Sequence, residues 1–284
     1  MDKPTKVYHY TTLNTALEHI LNDKTIRFGS LGLTNDPRET KEWGFAIMDP
    51  PLEENNISHT ITLSEDLNQR ANKIRTNEWF VFCTSCNEPK RRSKRSKSRI
   101  TELYKFGYSR PRMWAQYAGN HTGVCLEFSY QKLNKSIISN LAEACNLFSG
   151  HVEYDRDYDG VNYRNSEKMW AYQISYPGLS DLGLDNGLRD HIINHYDAFF
   201  LTKDIDWETE FEFRWLIHSP IIEGPFFFDI SDSISSVLVG TDFPSVYEPT
   251  LIKLCEELNV PAGRMSWRNR KPSAHFGSIY QPIS

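Results

Sequence analysis

The chain has 284 residues with 37 acidic against 32 basic side chains, a net charge of −5 and 13% aromatic residues. That aromatic content with so modest a net charge excludes a disordered chain, and the acidic balance excludes a global attraction for nucleic acid or anionic membrane, leaving only local patches for such partners. No run of about 18 apolar residues occurs and no apolar stretch follows Met1, so a soluble cytoplasmic protein with no membrane partner is expected, in which the five scattered cysteines are reduced thiols.

In chain order, Val7-Tyr8-His9-Tyr10 reads as a short strand, after which Thr11 or Thr12 can cap a helix carrying Leu13, Ala16, Leu17, Ile20 and Leu21 at helical spacing. His9 therefore stands near a strand end, beside a helix amino terminus. Ile26-Arg27-Phe28 predicts a second strand, and Asn35-Asp36-Pro37 is turn chemistry leading into a polar helix with Trp43. A loop over 49–56, a helix over about 63–74 and an apolar strand over 79–84 follow. That strand empties into Lys90-Arg91-Arg92-Ser93-Lys94-Arg95-Ser96-Lys97-Ser98-Arg99, read as a flexible basic insertion at about 87–101.

Met113-Trp114-Ala115-Gln116-Tyr117-Ala118 predicts a short helix, 119–123 a turn and 124–128 a strand. A helix near 132–147 and a strand near 151–154 come next, then a polar, aromatic-rich stretch without a clear period up to Leu184. Leu188, Ile192, Tyr196 and Phe199 suit a helix over 188–201.

Trp207-Glu208-Thr209-Glu210-Phe211-Glu212-Phe213-Arg214-Trp215-Leu216-Ile217 then alternates charged with bulky apolar residues. Read as one strand, it puts Glu210, Glu212 and Arg214 on one face and Phe211, Phe213, Trp215 and Ile217 on the other. Such a face suits the floor of a polar cleft, or a half-solvated antiparallel strand. A strand over 235–240 and a helix over 247–259 follow. Strands dispersed among helices without regular βαβ spacing predict an α+β fold of mixed, mostly antiparallel sheets with surrounding helices, as a single domain over 1–284.

Walker, Rossmann and nucleophile-elbow signatures are absent from the sequence. Cys83-Thr84-Ser85-Cys86 and the His191/His195 pair have metal-ligand spacing but no obvious further ligands, so no metal centre is expected. The basic run from Lys90 to Arg99 can contact phosphate, or is simply a solvated loop.

Taken together, Tyr8-His9-Tyr10-Thr11, Asn35-Asp36-Pro37-Arg38-Glu39, Met113 to Ala118 with His121-Thr122-Gly123-Val124, and Glu210-x-Glu212-x-Arg214 form an ordered set. The set resembles a large bacterial family of uncharacterised domains with these motifs. More distantly, the Tyr-His-Tyr-Thr start, its helix and a late strand-borne Glu resemble the ADP-ribosyltransferase superfamily, including its DNA-modifying toxin branch. That resemblance implies an ADP-ribosyltransferase-like fold and NAD as substrate, with transfer of ADP-ribose to a protein or nucleic-acid acceptor, in a bacterial toxin or anti-phage defence effector. It implies NAD contacts at His9, Tyr10 and Thr11, stacking by Tyr117 or Trp114, and catalysis by Glu210 or Glu212 with His9. Arg38 and Arg214 join the NAD-binding set, and Cys83-Thr84-Ser85 is the approximate counterpart of the superfamily's Ser-Thr-Ser motif.

The residues suit that chemistry. Cleaving the nicotinamide glycosidic bond builds oxocarbenium-like charge on ribose, which a fixed carboxylate stabilises where it develops. Glu210 and Glu212 share a face, so parity cannot choose between them. Two other expectations compete: a non-catalytic nucleotide or nucleic-acid binding module, and a nuclease using His9 with Glu210 and Glu212.

Overall fold

The computed structural model describes residues 3–49, 57–88, 105–155, 171–221 and 224–283. Its strands are β1 (Lys6–Thr11), β2 (Thr25–Arg27), β3 (Gly29–Ser30), β4 (Ala46–Met48), β5 (Trp79–Cys86), β6 (Val124–Ser129), β7 (Asn146–His151), β8 (Glu153–Asp155), β9 (Gln173–Ser175), β10 (Thr202–Asp204), β11 (Glu212–His218), β12 (Phe227–Asp229), β13 (Ile234–Val239), β14 (Ala262–Arg268) and β15 (Lys271–Tyr280). The main sheet runs β15-β14-β13-β6-β1-β5-β11-β7, with β3 also on β5. All its pairings are antiparallel except β13 with β14. The pairs β10–β8 and β4–β9 are parallel and β12–β2 antiparallel. The fold is therefore α+β with mixed sheets.

Alternation along the strands sorts side chains into separate cores. Phe80, Phe82, Phe213, Trp215 and Ile217 face one side with Phe28 and Phe228, under the helices Tyr130–Leu141 and Glu248–Leu258. Trp79, Val81 and Leu216 face the other with Trp43, Phe45 and Phe200. Each fully buried aromatic of this kind contributes about 1.5–3 kcal/mol. The helix Glu248–Leu258 closes on Asn259 in the left-handed region (φ 53°), a conformation Asn tolerates well.

One irregularity positions the site. β1 and β5 share only two register pairs, Val7 with Cys86 and Tyr8 with Ser85. Further along that edge, Val81 and Phe80 pair with β3. Between the two, the sheet is split, and the His9 imidazole reaches across so that Nδ1 lies 3.1 Å from the Cys83 carbonyl.

Several sequence expectations shift. Residues 207–210 are not strand: Ile205–Glu210 is a 3₁₀ helix, Phe211 is left-handed (φ 45°), and β11 starts at Glu212. Trp43 is not helical; the short helix Pro37–Thr40 ends before it, and its backbone is held by the Asn72 side chain from the helix Ile57–Glu78. The helix expected near 132–147 ends at Leu141 and gives way to β7. That over 188–201 is two, Leu184–Asn194 and Tyr196–Phe200. The basic run 90–99 lies outside the described residues.

Candidate active site

A cavity of about 300 Å³ opens in the sheet split, lined by Tyr8, His9 and Tyr10 from β1, Cys83, Thr84 and Ser85 from β5, Leu33, Thr34, Asn35 and Glu39 around the Asn-Asp-Pro turn, and Met113, Tyr117, Lys203, Glu210, Glu212 and Arg214. By parity His9 lies on the opposite sheet face from Glu212. The separation of β1 from β5 is what lets both line one space.

At the amino end of β11, Glu212 and Arg214 point the same way and meet: Arg214 Nε donates to Glu212 Oε1 at 2.7 Å and Nη2 to Oε2 at 3.1 Å. Lys203 arrives on β10, paired in register with Tyr154 on β8. Its Nζ lies 2.8 Å from Glu212 Oε2 and 3.0 Å from Glu210 Oε2, bridging the two carboxylates. The Tyr154 hydroxyl accepts the Glu212 backbone N–H at 2.8 Å, and the Tyr117 hydroxyl donates to Glu210 Oε1 at 2.8 Å. Arg214 continues to the Phe200 carbonyl and to Glu39 Oε1, 2.5 Å away. Glu39, Glu210, Glu212, Lys203 and Arg214 are 2, 2, 4, 5 and 0% exposed.

The turn before β11 brings Glu210 into this cluster. A straight strand spaces alternate residues by about 6.5–7 Å; the left-handed Phe211 breaks that line, and one ammonium then reaches both carboxylates. Such a conformation costs a bulky residue about 1–3 kcal/mol and persists only where its surroundings over-determine it. Buried Arg110 does so here. It donates to the Glu210 carbonyl at 2.5 Å, to Ser85 Oγ and to the Cys86 carbonyl, and its guanidinium lies 4.5 Å over the Phe211 ring.

Electrostatics separates the two glutamates that parity leaves equivalent. Burial alone raises the Glu212 pKa, but the Arg214 and Lys203 charges, with hydrogen bonds from Arg214 and the Cys83 thiol, reverse it and hold Glu212 below the ordinary carboxylate range. Those donors occupy the four acceptor positions of a carboxylate. Glu210 is raised, burial and repulsion from Glu212 outweighing Lys203 and Tyr117, and with two donors on it it keeps acceptor positions for a ligand. Burial lowers the His9 pKa, so its ring is neutral near pH 7. A carbonyl only accepts, so Nδ1 carries the proton given to Cys83 and Nε2 is left as an acceptor.

Of the sequence-predicted residues, His9, Tyr10, Tyr117, Glu210, Glu212 and Arg214 meet at the cavity. Tyr10 spends its hydroxyl on the Gly107 carbonyl at 2.6 Å. Gly107 fits there because a Cβ would enter the Tyr8 ring. Trp114 does not line the cavity: it is fully buried, edge-on to Tyr10, its indole N–H bonded to the Tyr108 carbonyl. Thr11 is buried where β1 meets Val124 on β6, also away from the lining. Arg38 belongs to the short helix Pro37–Thr40, its side chain outside the described residues. Cys83 is a half-buried thiol against Glu212, its pKa pushed well up by desolvation and by the Glu212 charge. The His191 and His195 rings are 4.7 Å apart, but His191 Nε2 is bonded to the Ala171 carbonyl, and among the described residues no three His, Cys, Asp or Glu side chains group to hold a metal ion. Lys203, Tyr154, Arg110 and Glu39 are the contributors that sequence reasoning missed; only Glu39 lay within a recognised motif.

Over residues 113–215 the chain matches a family model described as a protein of unknown function (DUF2971). That span carries Tyr117, Lys203, Glu210, Glu212 and Arg214 and supports an uncharacterised domain family. No curated protein and no solved structure matches the chain.

Proposed function

We propose that this cavity takes the nicotinamide riboside half of NAD and cleaves the nicotinamide–ribose bond, passing ADP-ribose to a macromolecular acceptor as ADP-ribosyltransferases do. The observation that carries the reading is a single cavity lined by a neutral His9 and by a carboxylate, Glu210, with acceptor positions to spare. Three carboxylates line it with Lys203 and Arg214, and two further buried guanidiniums reach the same cluster, Arg110 at the Glu210 carbonyl and Arg75 at the Glu39 carbonyl. Carboxylates at the cavity wall suit a pyridinium ligand and an oxocarbenium-like ribose. A volume of about 300 Å³ is at the small end for ligand pockets. It suits one part of the dinucleotide, with the remainder at the mouth beside Leu33, which is 81% exposed.

In this reading the bond from ribose C1′ to the ring nitrogen breaks with its electron pair going to nitrogen, which releases neutral nicotinamide. Positive charge then develops on ribose next to Glu210. His9 Nε2 accepts a ribose hydroxyl proton in a hydrogen bond and orients the sugar. The acceptor's nucleophilic atom bonds to C1′ and its proton leaves to a base, for which Glu210 is placed. Glu212, locked ionised by Arg214 and Lys203, fixes the field without touching the sugar. Nicotinamide release from NAD by wild type, Glu210→Gln and Glu212→Gln tests this. Release by wild type and its loss in Glu210→Gln are expected; equal background rates in all three would sink the proposal.

A further inference from the structure

Glu39 lines the cavity at 2% exposure; its Oε1 is paired with Arg214 at 2.5 Å, yet its Oε2 has no hydrogen-bond partner. Its ion-pair contact is Arg214 Nη2, the same nitrogen that bonds Glu212 Oε2. The local backbone does not fill the vacant position: the Glu39 N–H goes to the Asp36 carbonyl and the Glu39 carbonyl takes Arg75. Native interiors seldom leave a buried acceptor unfilled, and an unfilled one facing a cavity points to a donor brought by a ligand. Glu39 is held through Arg214 in the same cluster as Glu212.

The identity of the donor rests on the NAD reading. The nicotinamide riboside half offers two ribose hydroxyls and one carboxamide NH₂. Inside, the cavity offers His9 Nε2, the spare positions of Glu210, and Glu39, with the Thr34 and Asn35 side chains on its more exposed side. His9 and Glu210 suit the sugar, which leaves the carboxamide for Glu39. We propose that Glu39 is a specificity-determining residue that accepts an N–H of the ring carboxamide and rejects a carboxylate in the same place, so that the site takes NAD and excludes the nicotinic acid dinucleotide.

Free nicotinamide and nicotinate, titrated calorimetrically into the full chain, test the selection without turnover. Wild type should favour nicotinamide by about a hundredfold or more, as sites built around a hydrogen bond to the ligand do. Glu39→Gln, whose amide can donate to a carboxylate, should narrow the gap to a few-fold, whereas Glu39→Asp, keeping the charge, should retain the preference at weaker affinity. Should Glu39→Gln not fold, wild type and Glu39→Asp still decide. Equal binding of the two rings to wild type, binding of neither, or an undiminished preference in Glu39→Gln overturns the assignment. Its failure is distinct from that of the NAD reading: selective nicotinamide binding with no release from NAD removes the cleavage activity and leaves the selection standing.

Discussion

The two ends of β11 each hold a carboxylate against basic side chains, and they differ in what is left over. At the carboxyl end, His218 Nε2 lies 3.2 Å from Glu78 Oε2, its other nitrogen 3.4 Å from the Asn146 amide, and Arg189 grips both Glu78 oxygens. Burial raises Glu78 but the His218 and Arg189 hydrogen bonds more than reverse it, so it is held below the ordinary range. Each of these side chains has its partner. At the amino end, Glu39 Oε2 has no donor, Glu210 is raised, and both residues line one cavity. Ion pairs alone therefore do not mark a site; an acceptor left without a donor and a perturbed carboxyl beside a cavity do.

The sharpest way to break this contrast is to remove the amino-end cation. Arg214→Leu leaves Glu212 and Glu39 buried without their guanidinium, and chemical denaturation should register a loss of about 3–5 kcal/mol. Next in size, Glu210→Gln should lower nicotinamide release about 10²–10³-fold, or about 2.7–4 kcal/mol of transition-state stabilisation, without a comparable loss of stability. At the carboxyl end, Glu78→Gln should destabilise by about 1–3 kcal/mol through the partners it orphans and leave release rates at the wild-type level. A fall in activity as large as that of Glu210→Gln would erase the distinction between the two ends.

Smaller effects lie in the pH dependence. Because the folded chain holds the Glu210 proton more tightly than the unfolded chain does, this group's stabilising contribution is present in acid and is lost as pH rises through its raised pKa. Glu212 has the opposite sign: its contribution is present above the unfolded value of about 4.3 and is lost only as pH falls through its lowered pKa. The stability of Glu210→Gln relative to wild type should therefore increase from about pH 4 towards neutrality, as read from denaturation midpoints. Activity in wild type should rise with pH to a plateau as Glu210 ionises. Tyr117→Phe removes a hydrogen bond that lowers the Glu210 pKa and should move that rise to higher pH.

The sequence made the regular parts of this design legible and hid the bend. β1, β5, β6 and β13 stand out because apolar residues concentrate in short runs, and Glu212 with Arg214 follows from strand parity. Parity also carried the strand back to Trp207, since a 3₁₀ turn and a left-handed Phe211 happen to continue the alternation of charged and apolar letters. Glu210 was thus placed in the right neighbourhood by a mistaken route. Lys203 sits on a strand of three residues, too short for a period to register, and the strand read near 151–154 gives no sign that Tyr154 pairs with it. Glu39 was visible inside Asn35-Asp36-Pro37-Arg38-Glu39, but its unfilled acceptor exists only in the packed chain. The β14–β15 hairpin went unread; Gly263, Pro272 and Gly277 interrupt its pattern.

The central claim, that the amino end of β11 is the place where NAD is held, is tested most directly by a crystal structure of the chain with a non-hydrolysable NAD analogue. The nicotinamide ribose is expected within hydrogen-bond distance of Glu210 and His9 Nε2, with the carboxamide against Glu39. An analogue bound elsewhere on the chain, with this cavity filled only by solvent, would contradict it.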